Sequence, residues 1–288
     1  MYQRRKILIE LLNAFDGELN RTKFFKLLFL LSQKQAVPSY NFIPYHYGCY
    51  SFLAEQDISV LKKYGYLEDS DSVKLSKIED NNKIGSDSLD LIMEIKDEYG
   101  KMNNDEIINF VYNKYPFFAL NSKIKENYIS EDKVLDFCDD GKKVLFSIGY
   151  EGKDIDRYLN LLIKSNIKLL CDIRRNPISM KFGFSKNQLK NYCEKLHIQY
   201  IHFPEFGIVS SKRKNLASSE DYFSLFNEYS RDVLPVKSQE IEKMLTVVKS
   251  YNKVAFTCFE ADYNSCHRSH FLNYIFANYK IDYDLCHL

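Results

Sequence analysis

In the second half of the chain, short apolar runs alternate with segments of helical period. The runs are VLFSIGY (144–150), IKLLCDI (167–173), IQYIHF (198–203) and NKVAFTCF (252–259). They are too continuously apolar for strands with one wet face, and belong in a parallel sheet covered on both sides. Between and after them, helices are predicted at about 154–165, 185–196, 220–233, 237–250 and 264–278. Ser185 and Gln188 form a capping box at the start of the second of these. KIDYDLCHL closes the chain as a fifth strand. The predicted fold class is α/β: a mostly parallel, Rossmann-like sheet with helices on both faces, preceded by a mainly α-helical N-terminal domain.

Residues 1–140 lack that alternation. Helical spacing recurs over 4–15, 23–33, 51–64, 87–100 and 103–115. Asn41–Tyr50 is aromatic and carries Pro44 and Gly48, the mark of a turn or short extended piece. Residues 69–90 are polar and predict a loop or small hairpin. The polar run EDKVLDFCDDGKK places a boundary near Gly141, giving domains 1–140 and 141–288. A length of 288 residues agrees with two domains. The net charge of +1 divides into +4 over 1–63, −7 over 64–143 and +4 over 144–288. A mildly basic second domain permits nucleic-acid contact without requiring it. No stretch is long and apolar enough to span a membrane, and the first ten residues turn acidic too early for a signal peptide. A cytoplasmic protein without membrane contact is expected. The seven cysteines include no CxxC pair, so no disulfide framework is expected.

Open parallel sheets bind ligands beyond the C-terminal ends of their strands, and the unusual residues fall there. Tyr150 and Glu151 follow the first strand. Asp172, Arg174, Arg175 and Asn176 follow the second, with Phe182 and Phe184 a little further on. Glu205 follows the third, ahead of the basic loop Lys212-Arg213-Lys214. Cys258, Glu260 and Asp262 end the fourth, and Cys266, His267 and Arg268 open the next helix. Each residue also has a plainer reading. Asp172 and Arg174 make a buried ion pair equally well, Glu205 a helix cap, Glu260 a satisfied carboxylate and Cys258 a packing residue. Gly149 and Gly152 lack the full dinucleotide spacing. The spacing C-x7-C-H is not a standard zinc pattern, and adjacent Cys266 and His267 sit awkwardly on a helix. No metal and no cofactor are therefore expected. Cys266 near a helix N-terminus is a conceivable thiolate nucleophile, though no run of backbone donors surrounds it.

Four motifs in order, SIGYEG, LLCDIRRNPISMKFGFSKNQL, YIHFPEFG and CFEADYNSCHR, resemble the DUF488 family over about 144–288. In its last signature, CxExDxxxCHR, the positions are filled by Cys258, Glu260, Asp262, Cys266, His267 and Arg268. Asp172, Arg174, Pro177, Ser179 and Phe184 fill the second. Tyr263 stands where the family commonly has Pro. Residues 1–70, with KLLFLLSQ and FIPYHYGCYSFLAEQDISVLKKYGYLE, are similar to the Panacea (DUF4065) helical family, with Cys49 in place of its usual Pro. That resemblance implies a recognition module that binds a protein partner, of a kind associated with antitoxins and defence loci. Ring packing alone accounts equally for its Tyr45, Tyr47 and Tyr50.

The expected activity is that of a DNA glycosylase of phage defence, cleaving the N-glycosidic bond of a modified base. Such a step needs a carboxylate to activate water or stabilise an oxocarbenium-like centre. Glu260 or Asp172 would supply it. Tyr150, Phe182 and Phe184 would wall a flipped base, Arg174 and Arg268 would clamp phosphate, and His267 would be a supporting donor. Lys212 and Arg213 would form a basic rim. The alternative is a non-catalytic nucleotide- or nucleic-acid-binding regulator of a toxin–antitoxin or defence locus.

Overall fold

The computed structural model describes residues 1–77, 84–130, 140–209, 212 and 219–288. Two compact units divide the chain, Met1–Asp136 and Phe137–Leu288. No described helix is long and apolar enough to cross a membrane.

The N-terminal unit is built on α1 (Gln3–Ala14), α2 (Arg21–Lys34), α3 (Phe52–Lys63), α4 (Ser86–Tyr99) and α5 (Asn104–Lys114). Two small antiparallel pairs join them. β1 (Glu18–Leu19) pairs with β4 (Val73–Lys74), and β2 (Ile43–Tyr45) pairs with β3 (Gly48–Tyr50). The aromatic turn is thus a hairpin, with the Tyr45 and Tyr50 rings 5.1 Å apart. Helix α2 is central. Every residue from Phe24 to Ser32 is buried, including Lys26. The Lys26 ammonium donates to the Tyr47 carbonyl, which satisfies it in the core.

The C-terminal unit contains β5 (Val144–Gly149), α6 (Ile155–Lys164), β6 (Leu169–Asp172), α7 (Lys186–Lys195), β7 (Gln199–His202), α8 (Ser219–Glu228), α9 (Ser238–Val248), β8 (Lys253–Cys258), α10 (His267–Asn278) and β9 (Asp284–His287). The five strands form one parallel sheet in the order β7-β6-β8-β5-β9. Leu145, Leu169, Cys171, Val254 and Phe256 pack with Leu225, Ile241, Leu245, Phe271 and Leu272 from α8, α9 and α10. From α6, the Tyr158 hydroxyl donates to Thr257 Oγ1 at 2.8 Å. The register sets Gly149 beside Cys258 and Asp172 beside Thr257. Three adjacent strands therefore end together at one edge, where a parallel sheet holds its site.

Two local expectations are corrected. Ser185 precedes α7, but its side chain caps nothing. Its hydroxyl donates to Ser179 O at 3.1 Å, and Gln188 accepts from Gly183 N at 3.3 Å. Both side chains fasten the loop before the helix instead. The helix expected over 220–233 ends at Glu228 and widens into a π turn over Tyr229–Val233. Its buried Tyr229 donates to Phe206 O at 2.6 Å.

Candidate functional site

Cys258 is the last residue of β8. The chain then loops outward and returns at Cys266, which has extended backbone angles (φ −133°, ψ 139°) before α10 begins at His267. This return brings four donor atoms together. Glu260 Oε2 lies 3.0 Å from the Sγ of Cys258 and 3.0 Å from that of Cys266. His267 Nδ1 lies 3.5 Å from Cys258 Sγ and 3.8 Å from Cys266 Sγ. All four donor atoms lie within 4.8 Å of one another. Both sulfurs and the imidazole are buried, whereas Glu260 is half-buried. The other ring nitrogen, Nε2, faces Ile173 O at 3.3 Å.

Burial disfavours an anion on either sulfur. At Cys258 it is outweighed by the Cys266 thiol, by His267 and by Glu260, which hold the Cys258 thiol well below its usual range. At Cys266 burial acts together with neighbouring Cys258 and Glu260, and that thiol stays well above. The buried Cys171 and Cys193 differ: burial pushes both thiols up, as in inert core cysteines.

The loop carrying Glu260 is fastened from three sides. Arg268 is buried and donates through Nε to Ser147 Oγ (2.6 Å), through Nη1 to Glu260 O (2.6 Å) and through Nη2 to Ala261 O (3.2 Å). Glu151 accepts from Ala261 N at 2.9 Å, and its own N–H donates to Phe259 O at 2.8 Å. Asp262 closes a turn, accepting from Asn264 N and Ser265 Oγ at 3.0 Å each. Those bonds hold its carboxyl below the usual range.

Above this loop lies a cavity of about 940 Å³. Its walls are Tyr222, Phe223 and Phe226 of α8, together with Phe259, Tyr263, His270 and His287. Glu260 belongs both to the four-donor group and to the cavity lining. Glu151 and Asp262 add two further carboxylates, and the described lining residues include no Lys or Arg.

The remaining predicted residues are placed differently. Asp172 is fully buried and spent on its neighbours. Arg174 Nε and Nη2 donate to its two oxygens at 2.9 and 2.5 Å, and the Tyr200 hydroxyl donates at 2.6 Å. Arg174 Nη1 reaches Tyr150 Oη (3.0 Å) and Phe184 O (2.8 Å). Tyr150 stacks on Phe184 at 4.3 Å. This is the ion-pair alternative: Asp172 is buried against Arg174 and Tyr200 and is not among the cavity's lining residues, and Arg174 bonds Asp172, Tyr150 and Phe184. Arg268 likewise bonds protein partners, the Ser147 hydroxyl and two backbone carbonyls. Phe182 sits beside Tyr192 at 6.2 Å. Arg175 and Asn176 are exposed, with Arg175 donating to Pro204 O at 3.2 Å, and Glu205 lies in a short 3₁₀ turn. Lys212 is exposed and pairs with Glu228 at the end of α8. Arg213 and Lys214 lie outside the described residues.

Two features escaped the sequence. One wall of the cavity comes from α8, where adjacent Tyr222 and Phe223 are both exposed, Phe223 by 67%. Two large aromatics outside the apolar stripe of SEDYFSLFNE were the available signal. The four-donor group is hidden in the sequence because the spacing C-x7-C-H is not a standard zinc pattern and Cys266 and His267 are adjacent. Cys266 is a cap residue in extended conformation, so helical spacing does not govern where its sulfur points.

No curated protein and no solved structure matches the chain. A family model does: that of DUF488, a domain of unknown function, matches residues 154–275, which hold Asp172, Cys258, Glu260 and the Cys266–Arg268 run.

Proposed function

We propose that the C-terminal unit is a DNA-acting hydrolase of phage defence, a glycosylase that takes a modified base out of the stack. The observation that carries this reading is the cavity, with five aromatic rings, two imidazoles and a carboxylate at its base. Faces of that kind suit a planar, uncharged ring, and the cavity is large enough to admit a nucleotide unit. The described lining residues include no Lys or Arg, so in this reading the cavity takes the base and the phosphates stay outside it. Glu260 is the catalytic carboxylate: it takes a proton from water as the oxygen adds to the sugar C1′. The electrons of the C1′–N bond leave with the base, which picks up a proton. Asp172, with Arg174 and Tyr200, supports the strand end. The N-terminal unit acts as a Panacea-like recognition module for a protein partner.

The test is a base-excision assay on labelled duplexes carrying unmodified, uracil, methylated, hydroxymethylated or glucosylated bases, followed by alkali. Breakage on one duplex, lost in Glu260→Gln, is the expected result. Salt-dependent binding without breakage on any duplex would favour the non-catalytic regulator.

A further inference from the structure

We propose that Cys258, Cys266, His267 and Glu260 form a zinc site, with the two cysteines and the histidine as fixed ligands and Glu260 as the exchangeable fourth. The site shares Glu260 with the reaction proposed above, but its test does not depend on that reaction.

Geometry comes first. Zinc binds thiolate sulfur at about 2.3 Å, imidazole nitrogen at about 2.0–2.1 Å and carboxylate oxygen at about 2.0–2.2 Å, almost always as a tetrahedron. The edges of such a tetrahedron run about 1.6 times the bond length, or roughly 3.3–3.8 Å. The sulfur–nitrogen separations of 3.5 and 3.8 Å are already at that spacing. The sulfur–oxygen separations of 3.0 Å are a few tenths short. A small rotation of the half-buried Glu260 side chain supplies the difference.

The surroundings agree. A zinc-bound histidine is oriented by giving its other ring N–H to a carbonyl or carboxylate. His267 Nε2 faces Ile173 O, which assigns the proton to Nε2 and leaves the Nδ1 lone pair toward the sulfurs. Tyr229 packs its ring edge-on to the imidazole at 5.8 Å. Two cysteine sulfurs, an imidazole and a carboxylate meet in one buried pocket, and a thiolate–imidazole set selects zinc over magnesium or calcium. The fixed charge of Arg268, bonded to Glu260 O and Ala261 O, lies against the same loop and offsets the excess anion.

The donors are unequal in burial, and that sets the kind of site. Cys258, Cys266 and His267 are shut away from solvent, whereas Glu260 opens on the cavity. Three firm ligands plus one that yields is the pattern of an open site. When Glu260 turns outward, water takes its place on the metal, at the base of the cavity.

The test is metal analysis of the purified full-length chain, which involves no nucleic acid. About one zinc per chain is expected, falling to below about a tenth in Cys258→Ser and in Cys266→Ser. Glu260→Gln should retain zinc, because three ligands remain. If a cysteine variant does not fold, the wild-type chain stripped by chelator and loaded with cobalt alone is measured instead. Cobalt–thiolate charge-transfer absorption with tetrahedral visible bands is then expected, and about two thiols should become reactive toward a thiol reagent when the metal is removed. Overturning results are a chain that takes up neither zinc nor cobalt, zinc that survives both cysteine substitutions, or a Cys258–Cys266 disulfide in place of the metal.

Discussion

Asp172 shows how one residue admits two readings until its partners are known. From the sequence it is a carboxylate at a strand end, fit for catalysis or for an ion pair with Arg174. In the fold it is fully buried, doubly bonded by Arg174 and capped by Tyr200. Removing one partner of a buried charge pair leaves the other uncompensated. Asp172→Asn should therefore lower stability by about 3–5 kcal/mol in denaturant unfolding, and Tyr200→Phe by about 1 kcal/mol. An Asp172→Asn protein of unchanged stability that had lost its activity would restore Asp172 to the chemistry. Arg268 teaches the same lesson. An arginine at a helix start suggests anion binding, yet its donors hold the loop of Glu260 to β5 through Ser147. Arginine partners come from tertiary approach, which no local pattern records.

At the scale of elements, the strands were legible because both faces are buried, so each is written as an unbroken apolar run. The aromatic hairpin and the helices α4 and α5 were legible from Pro44, Gly48 and helical period. The Ser185 cap and the continuous 220–233 helix were not: Ser185 and Gln188 bond back to the loop just before the helix, and Tyr229 makes a long-range bond to Phe206 O. The contact between the β5 end and the site loop was also invisible. A Cβ at Gly149 would stand 1.7 Å from Glu260 O. Gly149→Ala should therefore displace the loop, with loss of activity and of bound zinc even where the chain still folds. Gly152 has φ +71° with open space around it. Gly152→Ala should cost about 1–2 kcal/mol of backbone strain and leave zinc content unchanged. Equal effects of the two substitutions on zinc would contradict this account of the loop.

Among the described residues, one core cluster lies around α2 in the N-terminal unit and one on the α8–α10 face of the sheet in the C-terminal unit. Each is large enough to fold alone. A chain of residues 137–288 should unfold in one cooperative transition and keep its zinc. Loss of cooperativity in that piece would show that the units depend on each other. The fold class was legible at this scale because strand–helix alternation is a global pattern. The cavity was only half legible: its base and part of its wall were written in the CFEADYNSCHR run, while Tyr222, Phe223 and Phe226 come from a helix about forty residues upstream that only the fold brings near. The central claim is that this cavity removes a base from DNA. The most direct measurement is alkali-sensitive breakage of modified duplexes by the full-length, zinc-replete chain beside its Glu260→Gln variant. Breakage of one modified duplex by the wild type alone is the predicted result. No breakage of any duplex, by a protein that carries its zinc and binds DNA, would contradict it.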